Sequence, residues 1–538
     1  MSESVWWKSG IVYQIYPRSF QDSDGDGIGD LEGIRSRLDY LVRLGIDAIW
    51  LSPFYPSPMA DFGYDISDYC DVDPRFGSLA DFDRLTSEAH ARGLKVIVDF
   101  VPNHTSDRHP WFDESRRARA NPKRDWYLWR DPAAGGGPPN NWLSNFGGSA
   151  WTFDAATGQY YLHAFLKEQP DLNWRNPEVR AAMYDVMRFW LRRGVDGFRI
   201  DVLYHLIKDD LFRDNPVNRA ATPGEQSSHG VVPLYTTDRP EVQEIVIEMR
   251  QVTEEFAATG SPRVLIGEIY LPLERLIAYY GRSEAGLLQG VQLPFNFQLI
   301  AARWEARVID RIVREYESML PHGAWPNWVL GNHDKSRIAS RVGAGQARVA
   351  AVLLLTLRGT PTMYYGDEIG MQDVPIPSDE VQDPFEKNEP GKGLGRDPER
   401  TPMQWDGSPN AGFTRRRPWL RLASDSALAN VAALERDPRS ILTLNRRLIA
   451  LRRQNPALTE GLYAPLAAEG DLLAFSRVHA SQRFTIAANF SARPIDLPAT
   501  IAPARAHVVL STHLDREGPV EAPLILRAHE AIIMSLPA

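Results

Sequence analysis

Eight times along this chain a short apolar burst ends in polar or charged residues and then gives way to a helical segment. The bursts are "IVYQIYP", "IDAIWLSP", "LKVIVDF", "VDGFRID", "RVLIGEI", "VQLPFNF", "NWVLGNHD" and "TPTMYYGDE", and amphipathic stretches such as "LADFDRLTSEAHARG" and "PEVRAAMYDVMRFWLRRG" separate several of them. Such alternation over roughly 450 residues predicts an α/β chain folded as a (β/α)8 barrel with insertions rather than an open sheet. A doubly wound nucleotide-binding fold is the runner-up, but it requires a Gly-rich phosphate loop directly after a strand. Only "GAGQAR" at 343–348 approaches one, and it falls in a helical region.

Two departures from the alternation read as added domains. Residues 104–172 are rich in Trp, Gly, Pro and Asn and form an insertion between the third strand and the third helix. After the helical "SILTLNRRLIALRRQNPAL", short strand-like runs separated by turn residues predict a C-terminal antiparallel β-sandwich over 458–538. The barrel then takes residues 1–103 and 173–457.

Charge and cysteine usage narrow the partners. A net charge of −9 makes a nucleic-acid backbone a poor ligand. The single cysteine, Cys70, excludes an internal disulfide. With no leader pattern in "MSESVWWKSG" and no long apolar run, the expected address is the cytoplasm, away from a membrane.

Barrel enzymes keep their chemistry at the C-terminal ends of the strands. Those ends here read "DFVPNH", "GFRID", "GEIY" and "NHD", so Asp201, Glu268 and Asp334 converge on one mouth from strands four, five and seven. Arg199 precedes Asp201 by two residues, on the same face of a strand, where its guanidinium can keep the carboxylate ionised. A single acid at a strand end could simply cap the next helix. Three acids with two histidines and an arginine are not explained that way. Zinc ligation by His104, His333 and these acids is the competing chemistry. It is disfavoured because no helical His pair is present and Arg199 would repel a dication.

The stretch "DSDGDGIGDLEG", 22–33, crowds Asp22, Asp24, Asp26 and Asp30 among close glycines. It opens like an EF-hand calcium loop, yet Gly33 stands where the bidentate Glu belongs, and the preceding segment is strand-like. A calcium sensor is excluded. A cation-clamped strand-to-helix turn and a solvated acidic turn both stay open.

The set "DFVPNH", "GFRID", "GEIY", "NHD" and "QPDLN" resembles glycoside hydrolase family 13, the α-amylase family, over nearly the whole chain. "VYQIYPRSFQDSDGDGIGDLEGI" and "RTPMQWD" resemble its bacterial α-glucosidases, oligo-1,6-glucosidases and α-glucosyl transfer enzymes. The resemblance implies a retaining mechanism with Asp201 as nucleophile, Glu268 as general acid/base and Asp334 as transition-state stabiliser. It further implies that Tyr64 is a platform under the sugar ring, that His104 and His333 assist Asp334, and that Phe146 and Phe165 wall the pocket. The acidic loop would hold a structural calcium or magnesium ion through Asp22, Asp24, Asp26, the Ile28 carbonyl and Asp30. No organic cofactor is implied, and the partners are small sugars and hydroxyl acceptors.

Asp61 and Arg400 match the pair that grips the terminal glucose at its 4-hydroxyl in exo-acting relatives, and the stretch 208–240 would roof the acceptor side. Val202, after the nucleophile, often accompanies α-1,6 cleavage in relatives, whereas "GEIYLP" resembles maltose-acting enzymes. The expectation is a maltose-like donor, with oligo-1,6-glucosidases and sucrose- or trehalose-processing relatives as alternatives. Amylase-like chaperones of transporters lack the catalytic acids that this chain retains.

Overall fold

The computed structural model describes residues 5–222, 226–257, 262–480, 482–521 and 523–536. Parts of four expectations lie outside the described residues: 1–4 of the leader reading, 223–225 of the acceptor-side stretch, 258–261 of the barrel, and 481, 522, 537 and 538 of the C-terminal domain.

Each of the eight bursts forms a strand: β1 Val12–Ile15, β2 Ala48–Leu51, β3 Lys95–Phe100, β4 Gly197–Ile200, β5 Val264–Gly267, β6 Leu293–Pro294, β7 Asn327–Val329 and β8 Thr360–Tyr364. They pair in parallel in the order β7-β8-β1-β2-β3-β4-β5-β6. A parallel bridge between Asn296 and Trp328 joins β6 to β7 and closes the ring.

Both faces of each strand are buried, which is why the bursts read as continuous apolar runs. Period-two alternation sorts them into two cores. Val12, Ala48, Trp50, Ile97, Val264 and Ile266 fill the barrel lumen. Tyr13, Ile49, Val98, Phe198, Ile200 and Leu265 face the helices. At the lumen floor Gly197 admits no side chain, because a Cβ there would lie 2.4 Å from the Val264 carbonyl oxygen.

The helices start at legible caps. Ser78 and Asp81 form a capping box for Leu79–Ala91, and Asn176 caps Pro177–Arg192 with Pro at the first turn. The latter buries Val179, Met183, Met187 and Trp190 against the barrel, each side chain contributing roughly 1.5–3 kcal/mol.

One helix departs from expectation. Ile338–Thr356 is long and apolar enough, by length and composition, to cross a membrane. Its backbone breaks at Gly343 (φ 78°, ψ 159°), and it packs against β8, the helix Ile441–Gln454 and the C-terminal sheet. "GAGQAR" lies within it, so no phosphate loop forms there.

The insertion carries a three-stranded antiparallel sheet around Trp142, Trp151 and Leu162. Its end is stitched back to β3 by Thr105 N–H to the Pro170 carbonyl (3.2 Å) and Leu172 N–H to the Asn103 carbonyl (2.9 Å). Beyond the barrel, a six-stranded antiparallel sheet packs with the pair Ile495–Leu497 and Leu524–Leu526 over Leu472, Ala474, Ile532 and Met534.

Candidate active site

The strand register brings the acids level. Ile200 pairs with Gly267, so Asp201 and Glu268 each stand one residue past adjacent strands. The ladder extends through them: Asp201 N–H donates to the Phe100 carbonyl (2.8 Å) and Glu268 N–H to the Ile200 carbonyl (2.9 Å). Parity then aims Arg199, Asp201 and Glu268 into the mouth.

Arg199 is fully buried and serves three carboxylates. Its Nη1 lies 2.7 Å from Asp201 and 2.9 Å from Asp99, and its Nη2 lies 2.8 Å from Glu268. Asp99, which also accepts from Trp50 Nε1 and Tyr64 OH at 3.1 Å, is a site residue that the sequence reading missed. Its signal was available, since β3 places it level with Arg199. One guanidinium cannot offset three buried carboxylates. Burial pushes the Asp201 carboxyl well above the usual range and Glu268 upward too, with Arg199 opposing both. Arg199 does meet Asp201 as expected, and it shares its charge with Asp99 and Glu268. The three carboxylates and Arg199 therefore titrate as one coupled set.

Val202 follows Asp201 with φ 36° and ψ 46°, a left-handed conformation rare for a β-branched residue. Strain of this kind costs about 1–3 kcal/mol. It turns the chain sharply and aims the Val202 N–H at Glu268 Oε2, 2.8 Å away.

Across the mouth, Asp334 accepts from Arg400 Nη2 (2.7 Å) and Arg396 Nη1 (3.2 Å), with His333 Nε2 at 3.4 Å. Burial works against its charge, but the guanidiniums of Arg396, Arg400 and Arg199 outweigh it and hold the carboxyl below the usual range, whereas the neutral His333 adds no charge. The expected Asp61–Arg400 pair does not form directly. Asp61 meets Arg396 Nη2 at 2.6 Å, and the same guanidinium grips the buried Asp383 at 2.6 Å, while Arg400 Nε holds the His333 carbonyl at 2.6 Å. Arg396 sits one turn before Arg400, ahead of the short helix Asp397–Arg400, and that turn decides which loop each arginine reaches. Its signal, "GRDPER", was visible. Asp383, by contrast, has no local signature.

The aromatic and histidine expectations all fall around this pocket. Tyr64 stacks on His333, with ring centroids 5.3 Å apart and planes 2° apart. His104 Nε2 lies 3.1 Å from the Tyr64 carbonyl, and its ring is 5.3 Å from Phe165. Phe146 adjoins Phe165 (6.1 Å), and the Arg396 guanidinium lies 5.0 Å from its ring. Burial lowers His104 to about 4 and His333 well below its ordinary value, so both are neutral at pH 7. Beside Glu268, a cavity of approximately 400 Å³ is lined by Tyr204, His205, Lys208 and Tyr270, with Asn215 and Val231 from the stretch expected to roof the acceptor side.

In the acidic loop, oxygens of Asp22, Asp24 and Asp30 lie within 4.8 Å of one another. Asp26 is not in that group; its carboxylate accepts from Ile28 N–H at 2.7 Å. Asp22 accepts from Gly25 and Gly27 N–H (2.6 and 2.8 Å), and Asp30 accepts from Gly33 N–H (2.6 Å), capping the helix Leu31–Ser36. Gly27, at φ 102°, lies so close to the Arg417 carbonyl that a Cβ would sit 2.4 Å from it. Three convergent carboxylates offer the hard oxygen donors that calcium or magnesium takes.

The family model described as "Alpha amylase, catalytic domain" matches residues 14–461. The chain belongs to the α-amylase family. Within that family it is 42% identical to a probable α-glucosidase of Rhizobium meliloti (strain 1021), across 95% of both chains. It is 41% identical to an oligo-1,6-glucosidase of Heyndrickxia coagulans, across 90% of this chain and 92% of that one. The solved structure of the α-glucosyl transfer enzyme XgtA superposes with a TM-score of 0.92 at 41% identity, across 99% of this chain and 100% of the other.

Proposed function

We propose that this protein is a retaining, exo-acting α-glucosidase that releases or transfers single α-glucosyl units from short, maltose-like α-glucosides. The observation that carries the reading is the level pair Asp201 and Glu268 bridged by one guanidinium. Two carboxylates on one guanidinium are neighbours, as in a retaining pair, where the second carboxylate is itself the nucleophile.

Glu268, pushed upward by burial, serves as the acid, while Arg199, 2.7 Å from Asp201, supports the ionised form of the nucleophile. An Asp201 oxygen bonds to the anomeric carbon as the glycosidic C–O bond breaks and Glu268 protonates the departing oxygen. Glu268 then takes a proton from water or a sugar hydroxyl. That oxygen bonds to the same carbon, the ester opens, and the α configuration is restored. Asp334, ionised among its cations, holds the 2- and 3-hydroxyls as the ring flattens, assisted by His104 and His333, with Tyr64 as the platform and Phe146 and Phe165 as walls. Asp61, Arg396 and Asp383 close the pocket beyond the terminal sugar, which supports exo action.

A calcium or magnesium ion held by Asp22, Asp24, Asp30 and the Ile28 carbonyl would clamp the loop that joins β1 to its helix. The lone Cys70 supports a reducing, cytoplasmic address. Similarity to an oligo-1,6-glucosidase, together with Val202, favours α-1,6 linkages as the second reading. Product analysis with maltose, isomaltose, sucrose and trehalose as sole substrates decides between them. Glucose from maltose at the highest rate supports the proposal, and no cleavage of any of the four defeats it.

A further inference from the structure

Two buried charges sit behind the pocket without touching the reacting groups. Lys208 Nζ lies 2.5 Å from Asp171 Oδ2 and donates to Asn103 Oδ1 at 2.7 Å. The Asn103 amide nitrogen in turn lies 3.2 Å from Asp171 Oδ1 and 3.1 Å from His104 Nδ1. An ammonium only donates and a carboxylate only accepts, so the ion pair permits a single orientation of the Asn103 amide. Its oxygen faces Lys208, and its NH2 faces Asp171 and His104.

We propose that the Lys208–Asp171 pair, acting through Asn103, fixes His104 as the tautomer protonated on Nε2. Nδ1 then accepts from Asn103, and the Nε2 proton points to the Tyr64 carbonyl. The opposite tautomer sets an N–H against the Asn103 NH2 and a lone pair against the Tyr64 carbonyl. The one contact it would improve is Gln169 Nε2, 3.1 Å from His104 Nε2. Gln169 has other acceptors, Asp61 Oδ2 at 3.3 Å and the Tyr64 carbonyl at 3.4 Å, and its own amide is oriented by Leu166 N–H on its oxygen. His333 offers a contrast. Gln14 Nε2 lies 2.7 Å from its Nδ1, but the Gln14 amide oxygen has no partner, so no charge pins that amide.

The charged and titratable groups around His104 are Asp171 and Lys208 behind it, His205 from the turn after Asp201, and Asp61 through Gln169. Lys208 and burial both disfavour the imidazolium; Asp171 favours it. Lys208 and Asp171 are thus positioning residues: they deliver a neutral hydrogen-bond donor to the sugar. The inference rests on the proposed glucosidase reading for what that donor does, whereas the tautomer itself is observable without any substrate.

The test is nitrogen NMR of histidine-labelled protein, with the His104 signals assigned by their loss in His104→Gln. In the parent protein, Nε2 should carry the proton and Nδ1 should be bare; a proton on Nδ1 overturns the proposal outright. The exchange Asn103→Asp with Asp171→Asn keeps one carboxylate beside Lys208 and only moves it, placing an acceptor against Nδ1. The proton should transfer to Nδ1, and kcat/KM should fall about ten-fold, the worth of one neutral hydrogen bond. The loss should shrink as pH falls, because a doubly protonated His104 regains its Nε2 proton. A variant that keeps the proton on Nε2, or loses activity equally at every pH, also overturns it. If activity is absent in the parent while its tautomer is as stated, the glucosidase reading fails and this one stands.

Discussion

The backbone N–H of Val202 donates to Oε2 of Glu268 at 2.8 Å, so the residue after the proposed nucleophile orients the proposed acid. The two carboxylates are also joined through Arg199, and their labour can be separated by leaving group. General-acid help is worth about 10²–10⁴ in rate, and a fluoride leaving group hardly needs it. Glu268→Gln should cripple maltose cleavage yet still accept α-glucosyl fluoride, and azide should restore turnover as the β-glucosyl azide. Asp201→Asn should be dead on both substrates. Azide rescue of the Asp201 variant instead would reverse the two roles.

Arg396, rather than Arg400, meets Asp61. Arg396→Ala should lower kcat/KM on maltose by roughly 10- to 100-fold, as expected for a lost charged hydrogen bond, with the fold intact by circular dichroism. Arg400→Ala should also damage Asp334, its direct partner, and lower kcat more than Arg396→Ala does. Equal effects on kcat would argue against this division.

Several histidines are buried neutral, which gives stability a defined pH dependence. His104 is lowered to about 4 and His109 to about 3. Between those values and the ordinary value near 6.5, the unfolded chain binds protons that the folded one refuses, so stability rises with pH there. It is fully present above about 6.5 and is lost as pH falls toward 4. His104 alone accounts for about 3 kcal/mol across that window. The urea midpoint of His104→Gln should therefore lose less between pH 7 and pH 4.5 than that of the parent protein. An equal loss in the two proteins would contradict the neutral assignment of His104.

The acidic loop stands apart from the reacting groups, so removing its cation should lower Tm more than it lowers turnover at moderate temperature. Asp22→Ala should mimic the chelator, since Asp22 also holds Gly25, Gly27 and Thr414. Loss of catalysis at an unchanged Tm would make the ion part of the chemistry.

An ester on Asp201 can be opened by any hydroxyl that reaches Glu268, and the cavity lined by Tyr204, Lys208 and Tyr270 leaves that side accessible. Glucosyl transfer to sugars or small alcohols at high acceptor concentration is expected, with the α configuration kept. Chromatography that finds only glucose at molar acceptor would refute it.

The sequence by itself determined everything that depends on near neighbours along the chain. Strands buried on both faces must be continuous apolar bursts, and all eight were readable for that reason. Period-two parity likewise put Arg199 and Asp201 on one face, and the amphipathic runs "LADFDRLTSEAHARG" and "PEVRAAMYDVMRFWLRRG" marked two of the helices. What the tertiary structure alone decided is which distant loops meet. Arg199 serves Asp99 and Glu268 as well as Asp201 only because barrel closure brings three strand ends level. Asp61 meets Arg396 and Asp383 because loops hundreds of residues apart fold over the same mouth, and one turn of short helix shifts the choice of arginine. Val202 adopts a conformation its side chain disfavours because the surrounding packing and the Glu268 carboxylate hold it there. Local periodicity selects a face. The partner on that face is set by chain closure and by how many buried charges must share one counter-ion.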